Sequence, residues 1–374
     1  RKHKLNISRV YVEKGIFQLL THKGDSALNL QFIIDHFAST DKGKQTDTTP
    51  SAPWDLSVST VQLVDTRFHL QDKNAVPVPA GMDYTNIDVS GINLELTDVT
   101  FVGDTIHGNI LKLSARERSG FVLHKMSGEF QVGPRYLKAH HLKILTDYSE
   151  LALNFDFLYD RWQAYNDFLN KITIVAKIEP SYLDLQDIGF FAPELSVMKD
   201  RIRLSGNIKG TVSNFKARDL RFAFGKNTFF YGNISASGLP DVEETFIDLN
   251  IKAMNSNKED IESLLIPGDL RRLQLPGILA NIGVVSLKGN FTGFYNDFVA
   301  NAHLKTDLGS ITTDLALIKQ KGNAILGYKG QLSVESFDIG RLTGNTKYLG
   351  NISMRADVSG KGFDLNNADL AMNL

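Results

Sequence analysis

Adjacent histidines at His140 and His141 offer imidazole nitrogens of the kind that ligate metals or carry protons. They fall in an alternating, strand-like run, where neighbours project to opposite faces, so the two cannot share an ion without a bulge. The expectation is one surface histidine and one packed histidine, with no metal. The acidic pairs Glu243-Glu244 and Glu259-Asp260 stand beside turn or cap signals, where solvation or a helix dipole accounts for them. No G-x-S-x-G elbow, Walker loop or H-E-x-x-H motif occurs, and the fragment Gly360-Lys-Gly362 stops short of a dinucleotide fingerprint. With no cysteine, thiolate metal sites and disulfides are excluded. These residues predict a binding or scaffold protein that is not an enzyme and needs no cofactor.

The chemistry the sequence does repeat is apolar. In Leu151-Ala-Leu-Asn-Phe-Asp-Phe157, residues Leu151, Leu153, Phe155 and Phe157 share one face of a strand, while Ala152, Asn154 and Asp156 take the other. Val285, Leu287 and Phe291 do the same in a second run, and Phe298, Ala300, Ala302 and Leu304 in a third. Similar runs occur at Leu28 to Ile34, Ile92 to Leu96 and Phe246 to Ala253. A sheet apolar on one side needs an apolar partner. Either a second sheet closes on it about 10 Å away, as in a β-sandwich, or the face stays open as a groove for acyl chains.

The elements that must position these residues are repeated. Arg203-Leu-Ser-Gly-Asn-Ile-Lys-Gly-Thr-Val-Ser-Asn-Phe215 parallels Ser286-Leu-Lys-Gly-Asn-Phe-Thr-Gly-Phe-Tyr-Asn-Asp-Phe298, with a weaker echo at Ser353 to Phe363. Alternation with glycines at fixed offsets is the mark of a repeated set of strands. Gly206/Gly210 and Gly289/Gly293 read as turn or close-approach glycines within strands. The Asn-x-Ser/Thr triplets at Asn6, Asn233, Asn290 and Asn351 recur partly because the repeat does.

Helical signal is sparse. Asp160 to Leu169 places Trp162, Tyr165 and Leu169 on one stripe, expected to pack on its own sheet with a gate or partner-docking patch as the alternative; Ser256-Asn-Lys-Glu259 has the capping-box spacing, and Asp184 to Phe191 is stopped by Pro193. Three short helices cannot cover a parallel sheet, so an α/β fold is excluded. Thr40 to Pro53, aperiodic and with two prolines, reads as a loop. The expected fold is all-β, an elongated, curled, groove-like repeat sheet with a few short helices. Residues 1–180 form a β-rich segment carrying the loop 40–53, and 181–374 a segment of glycine-patterned strands. About 25 strands at about 4.8 Å each would give a groove on the order of 120 Å long.

Charge excludes one class of partner. The net charge is −1, from 41 basic and 42 acidic residues without a block of one sign, so nothing steers nucleic acid. No apolar run reaches the roughly 18 residues of a transmembrane helix, and the start lacks a signal-peptide core. Strand-like patterning at both ends (Leu5, Ile7; Leu370, Met372, Leu374) suggests a piece of a longer chain. An outer-membrane barrel fits poorly with irregular linkers and interspersed helices.

The segment Ser181-Tyr-Leu-Asp-Leu-Gln-Asp-Ile-Gly-Phe-Phe-Ala-Pro-Glu-Leu195, followed by Ile202-Arg-Leu-Ser-Gly-Asn-Ile-Lys-Gly-Thr-Val212, resembles the TamB-like proteins of the AsmA superfamily, particularly Bacteroidetes forms. Ser119 to Phe130 and Leu142 to Leu153 are similar to the same family. The resemblance implies a periplasmic protein, anchored in the inner membrane by a helix not found in these residues. It also implies a long curled sheet with an apolar interior that moves phospholipids between inner and outer membranes. In some members it further implies outer-membrane biogenesis with an Omp85-type partner, through regions not found here. The rival expectation is a structural or adhesive β-sandwich array that binds a protein or glycan on its polar surface.

Overall fold

The computed structural model describes residues 3–29, 54–193, 200–264, 272, 274–319, 326–361 and 369–373. The loop expected at 40–53 and most of the strand expected at 28–34 lie outside them. Strand accounts for 66% of the chain and helix for 11%, in open, curled sheet, so the fold is all-β as the alternation requires. Nineteen strands are described, fewer than about 25, because several are long: β3 (Trp54–Asp72) has 19 residues and β4 (Asn86–Val102) has 17.

Two compact units emerge, one comprising Arg1–Trp162 with Ser181–Arg201, the other Gln163–Pro180 with Ile202–Leu374. The chain passes between them three times, and one of these boundaries, Pro180/Ser181, falls inside β9 (Thr173–Asp184). In the first unit, β1 (His3–Glu13) and β2 (Ile16–Thr21) lie end to end along one edge of β3, both parallel to it. From β3 the chain meanders antiparallel through β4, β5 (Thr105–Glu117), β6 (Val122–Gly133), β7 (Tyr136–Thr146) and β8 (Glu150–Leu158).

The second unit is one antiparallel meander. It runs through β10 (Arg201–Gly210), β11 (Asn214–Phe224), β12 (Thr228–Ser237), β13 (Phe246–Ser256), β14 (Val285–Phe294), β15 (Asp297–Thr306), β16 (Gly309–Lys319), β17 (Leu326–Asp338), β18 (Asn351–Lys361) and β19 (Asp369–Asn373). The sequence repeat now has a structural unit. The segments starting at Arg203, Ser286 and Ser353 lie in β10, β14 and β18; β10 and β14 each open a set of four strands closed by a short helix after β13 and β17, and among the described residues β18 is followed by β19.

Those helices share an Asp-Ile pair; its Asp260, expected to be solvated or a helix-dipole partner, does sit in a first helical turn but is buried against a hairpin turn. Asp187-Ile188 belongs to the helix Leu185–Phe191, Asp260-Ile261 to Lys258–Ser263, and Asp338-Ile339 opens Ile339–Thr343. The first two aspartates are buried and latch their helix to a hairpin turn. Asp187 accepts hydrogen bonds from the Thr146 hydroxyl (2.5 Å) and the Ser149 hydroxyl. Asp260 accepts from the amides of Asn227 (2.7 Å) and Thr228 (2.8 Å) and from the Thr228 hydroxyl. Burial pushes the Asp260 carboxyl up, but the amides of Lys226, Asn227 and Thr228 and the Thr228 hydroxyl outweigh it and hold the group below its ordinary value.

Two helix expectations need correction. The cap of Lys258–Ser263 is Asn257, whose Oδ1 accepts from the Asp260 amide at 2.9 Å. Ser256 cannot serve, since it ends β13 and its hydroxyl pairs with that of Thr228. The stretch from Asp160 forms a 3-10 turn, Trp162–Asp167, and a single α-turn, Phe168–Lys171. Three residues per turn realign the stripe, and Trp162 and Leu169 are left 50% and 40% exposed.

Candidate functional site

Each unit presents one continuous apolar face, built by register. In the second unit Met254, Leu287, Leu304, Ile311, Val334 and Met354 stand directly opposite one another in turn, a row crossing six strands. Beside it run Leu249, Phe291, Ala300, Leu315, Gly330 and Val358, and then Ile247, Gly293, Phe298, Leu317, Tyr328 and Gly360. Ala302 lies in a fourth row between Gly289 and Thr313, and Val285 closes the end of β14 opposite Ser256.

The first unit repeats the design. Leu5, Leu56, Phe101, Ile106, Val132, Leu137 and Phe157 form one row, and Leu94, Leu113, Met126, Ile144 and Leu151 another. Leu153 stands opposite Leu142, and Phe155 opposite Ala139, with the Phe155 and Phe157 rings 4.7 Å apart. No charged side chain interrupts these rows.

Burial distinguishes a groove from a closed core. Leu151, Leu153, Phe155, Phe157, Val285, Leu287, Phe291, Phe298, Ala300, Ala302 and Leu304 are all half-buried. Among the described residues only sixteen apolar side chains are buried, and six of those are alanines. Closure occurs at one corner of the second unit, where Leu308, Val334 and Phe337 are buried beneath Ile282 and Leu342. The side chain of Asn281 ties this cover together by donating to the Leu342 carbonyl at 2.9 Å.

The curl that makes a sheet a groove comes from bulges, where sequence reading failed. His141, Asp219 and Ser336 adopt positive φ (51°, 50° and 48°) inside strands, each at a register slip. Their amides donate to Asn154 Oδ1 (2.6 Å), Asn233 Oδ1 (3.0 Å) and Ser353 Oγ (2.9 Å) on the next strand. On the preceding strand a glycine, Gly128, Gly206 or Gly309, faces each bulge. A Cβ on Gly206 would come within 2.9 Å of the Leu220 Cα. An extra residue bends its strand and raises the local twist, so this glycine, bulge and side-chain acceptor form a hinge across three strands. The signal was available as glycine and asparagine one strand apart on either side of a polar residue.

One consequence corrects the histidine reading. The bulge turns His140 and His141 to the same polar face, where both are exposed and neither is packed. His140 Nε2 lies 2.9 Å from Asp156 and His141 Nδ1 3.1 Å from Glu129. Beside them a depression of about 410 Å³ is lined by His107, Lys138 and Asp98 among others. Among the described residues no cluster of three or more His, Asp or Glu side chains could hold a metal. Among the described residues no helix is long and apolar enough to cross a membrane.

The polar face of the second unit carries an asparagine ladder. Asn250 donates to Asn290 Oδ1 at 2.6 Å, and Asn290 donates to Asn301 Oδ1 at 3.2 Å. Asn233 and Asn290, which head two of the Asn-x-Ser/Thr triplets, are thus fixed in hinge and ladder roles respectively. Compared with family models, curated proteins and solved structures, the chain matches none.

Proposed function

We propose that the apolar faces hold acyl chains, and that the chain is part of a periplasmic, inner-membrane-anchored groove conducting phospholipids between the inner and outer membranes in support of outer-membrane biogenesis. The observation that supports this most is the half-burial of the whole lining, from Leu151 to Phe157 and from Val285 to Leu304. A closed sandwich would bury the same positions. Each methylene kept from water contributes roughly 0.8 kcal/mol, and an uncharged lining recognises chains without selecting a headgroup. The resemblance to TamB-like proteins agrees, and the Omp85-type partner it implies belongs to this proposal.

Photocrosslinking in cells tests it, with a benzophenone side chain at Leu153 or Leu287 and controls at Asn154 and Lys288. Phospholipid adducts confined to Leu153 and Leu287 are expected. Adducts at neither face of a folded protein would overturn the groove and favour a protein or glycan partner on the polar surface. Charge insertion gives a second readout. Phe155→Asp is expected to leave a cooperative melt while reducing bound lipid, whereas Phe337→Asp, in the closed corner, abolishes folding.

A further inference from the structure

The polar face of β10 and β11 concentrates cations. Arg203 and Lys209 on β10 and Lys216, Arg218 and Arg221 on β11 all lie on that face, and all are exposed. Lys209 stands directly opposite Lys216 in the antiparallel register, and like charges so placed work against the sheet. The lone carboxylate of these two strands, Asp219, is engaged by Lys252 at 2.8 Å and by the Tyr231 hydroxyl at 3.2 Å. Arg221 lies 4.3 Å from the centre of the Tyr231 ring, Glu179 on β9 pairs with Lys177 at 2.7 Å, and among the described residues no ion pair engages Arg203, Lys209, Lys216 or Arg218. Ser205 and Asn207 fill the spaces between the cations, and the aromatic ring beside them, Tyr231, is half-buried beneath Arg221 and Lys252 rather than presented as an interface anchor. A face that gives up sheet stability to concentrate positive charge, in a chain of net charge −1, has an anionic complement.

We propose that this face docks on the anionic headgroup surface of a membrane. The complement is anionic, broad and free of apolar insertion, which a bilayer surface satisfies and an acidic protein segment with apolar hot spots does not. The cations lie opposite the apolar face, so docking and acyl binding are separable. Co-flotation of the 374-residue chain with phosphatidylglycerol-containing vesicles, and with pure phosphatidylcholine vesicles, tests the proposal at low and high salt.

Binding is expected only with the anionic vesicles and should fall with salt. Lys209→Glu should weaken it by about fivefold or more, while thermal stability holds or rises because the new carboxylate faces Lys216. A merely structural role would lower both together. Arg218→Gln should weaken binding without adding a new ion pair, and Lys288→Glu on β14 should leave it unchanged. Equal binding to neutral vesicles, or full binding by Lys209→Glu and Arg218→Gln, would overturn the proposal. Binding that survives both substitutions but is lost in Leu287→Asp would assign it to the acyl groove instead. Capture of a soluble acidic protein with vesicles ignored would overturn the membrane assignment.

Discussion

Strands β14, β15 and β16 pair residue for residue without a slip, whereas β6, β7 and β8 lose register at Ser127/Glu129 and Ala139/Leu142. In the regular stretch the two faces alternate strictly, and Asn290 donates to Asn301 across the polar one. In the bulged stretch His140 and His141 share a face, the strand bends, and Asn154 spends its side chain on the freed amide of His141. The contrast separates two jobs of sheet structure. Regular ladders extend the apolar face, and hinges curl it.

The hinge glycine should break this division most sharply. Gly206 has φ near 150°, and its added Cβ would meet the Leu220 backbone. Gly206→Val is therefore expected to cost about 3 kcal/mol or more, read as the urea midpoint, while Gly350→Ala, with open space around it, changes little. Loss no larger than at Gly350 would mean the bulge is not a fixed feature.

The latch on the β11–β12 turn comes next. Asp260→Ala removes a buried acceptor of four hydrogen bonds, from Lys226, Asn227 and Thr228, and should cost about 2 kcal/mol. Its carboxyl lies below the ordinary value, so its stabilisation is complete above the unfolded carboxylate range near about 4 and disappears as pH falls through the lower folded value. Acid titration of the melting temperature should show this limb in the parent and a smaller one in Asp260→Asn. Equal acid limbs would remove Asp260 from the argument.

The smallest effect compares the two kinds of asparagine. Asn233→Ala strands the Asp219 amide at a bulge and should cost about 1 kcal/mol, and Asn301→Ala at the exposed end of a ladder about 0.5 kcal/mol. Reversed magnitudes, measured by denaturant melts, would show that the ladder and not the hinge holds the polar face.

Legibility in the sequence followed the same division. Leu151 to Phe157, Val285 to Phe291 and Phe298 to Leu304 could be assigned to strands and faces because a period of two is local and survives wherever pairing is unbroken. The capping residue at Asn257 and the 3-10 turn at Trp162 were misread, since both depend on which groups a neighbouring strand has already engaged. The Asp-Ile latches went unread for a similar reason. Asp187 and Asp260 become meaningful only when their helices meet hairpin turns distant in sequence.

Taken alone, the sequence determined that this protein is all-β, that its strands repeat, and that each is apolar on one side, because side-chain alternation and glycine spacing are properties of the chain itself. Only the tertiary structure decided that the apolar side stays half-open, that bulges turn His140 and His141 together, and that Lys209 confronts Lys216. Those outcomes depend on register between strands, and register is set by pairing partners that a single strand does not encode.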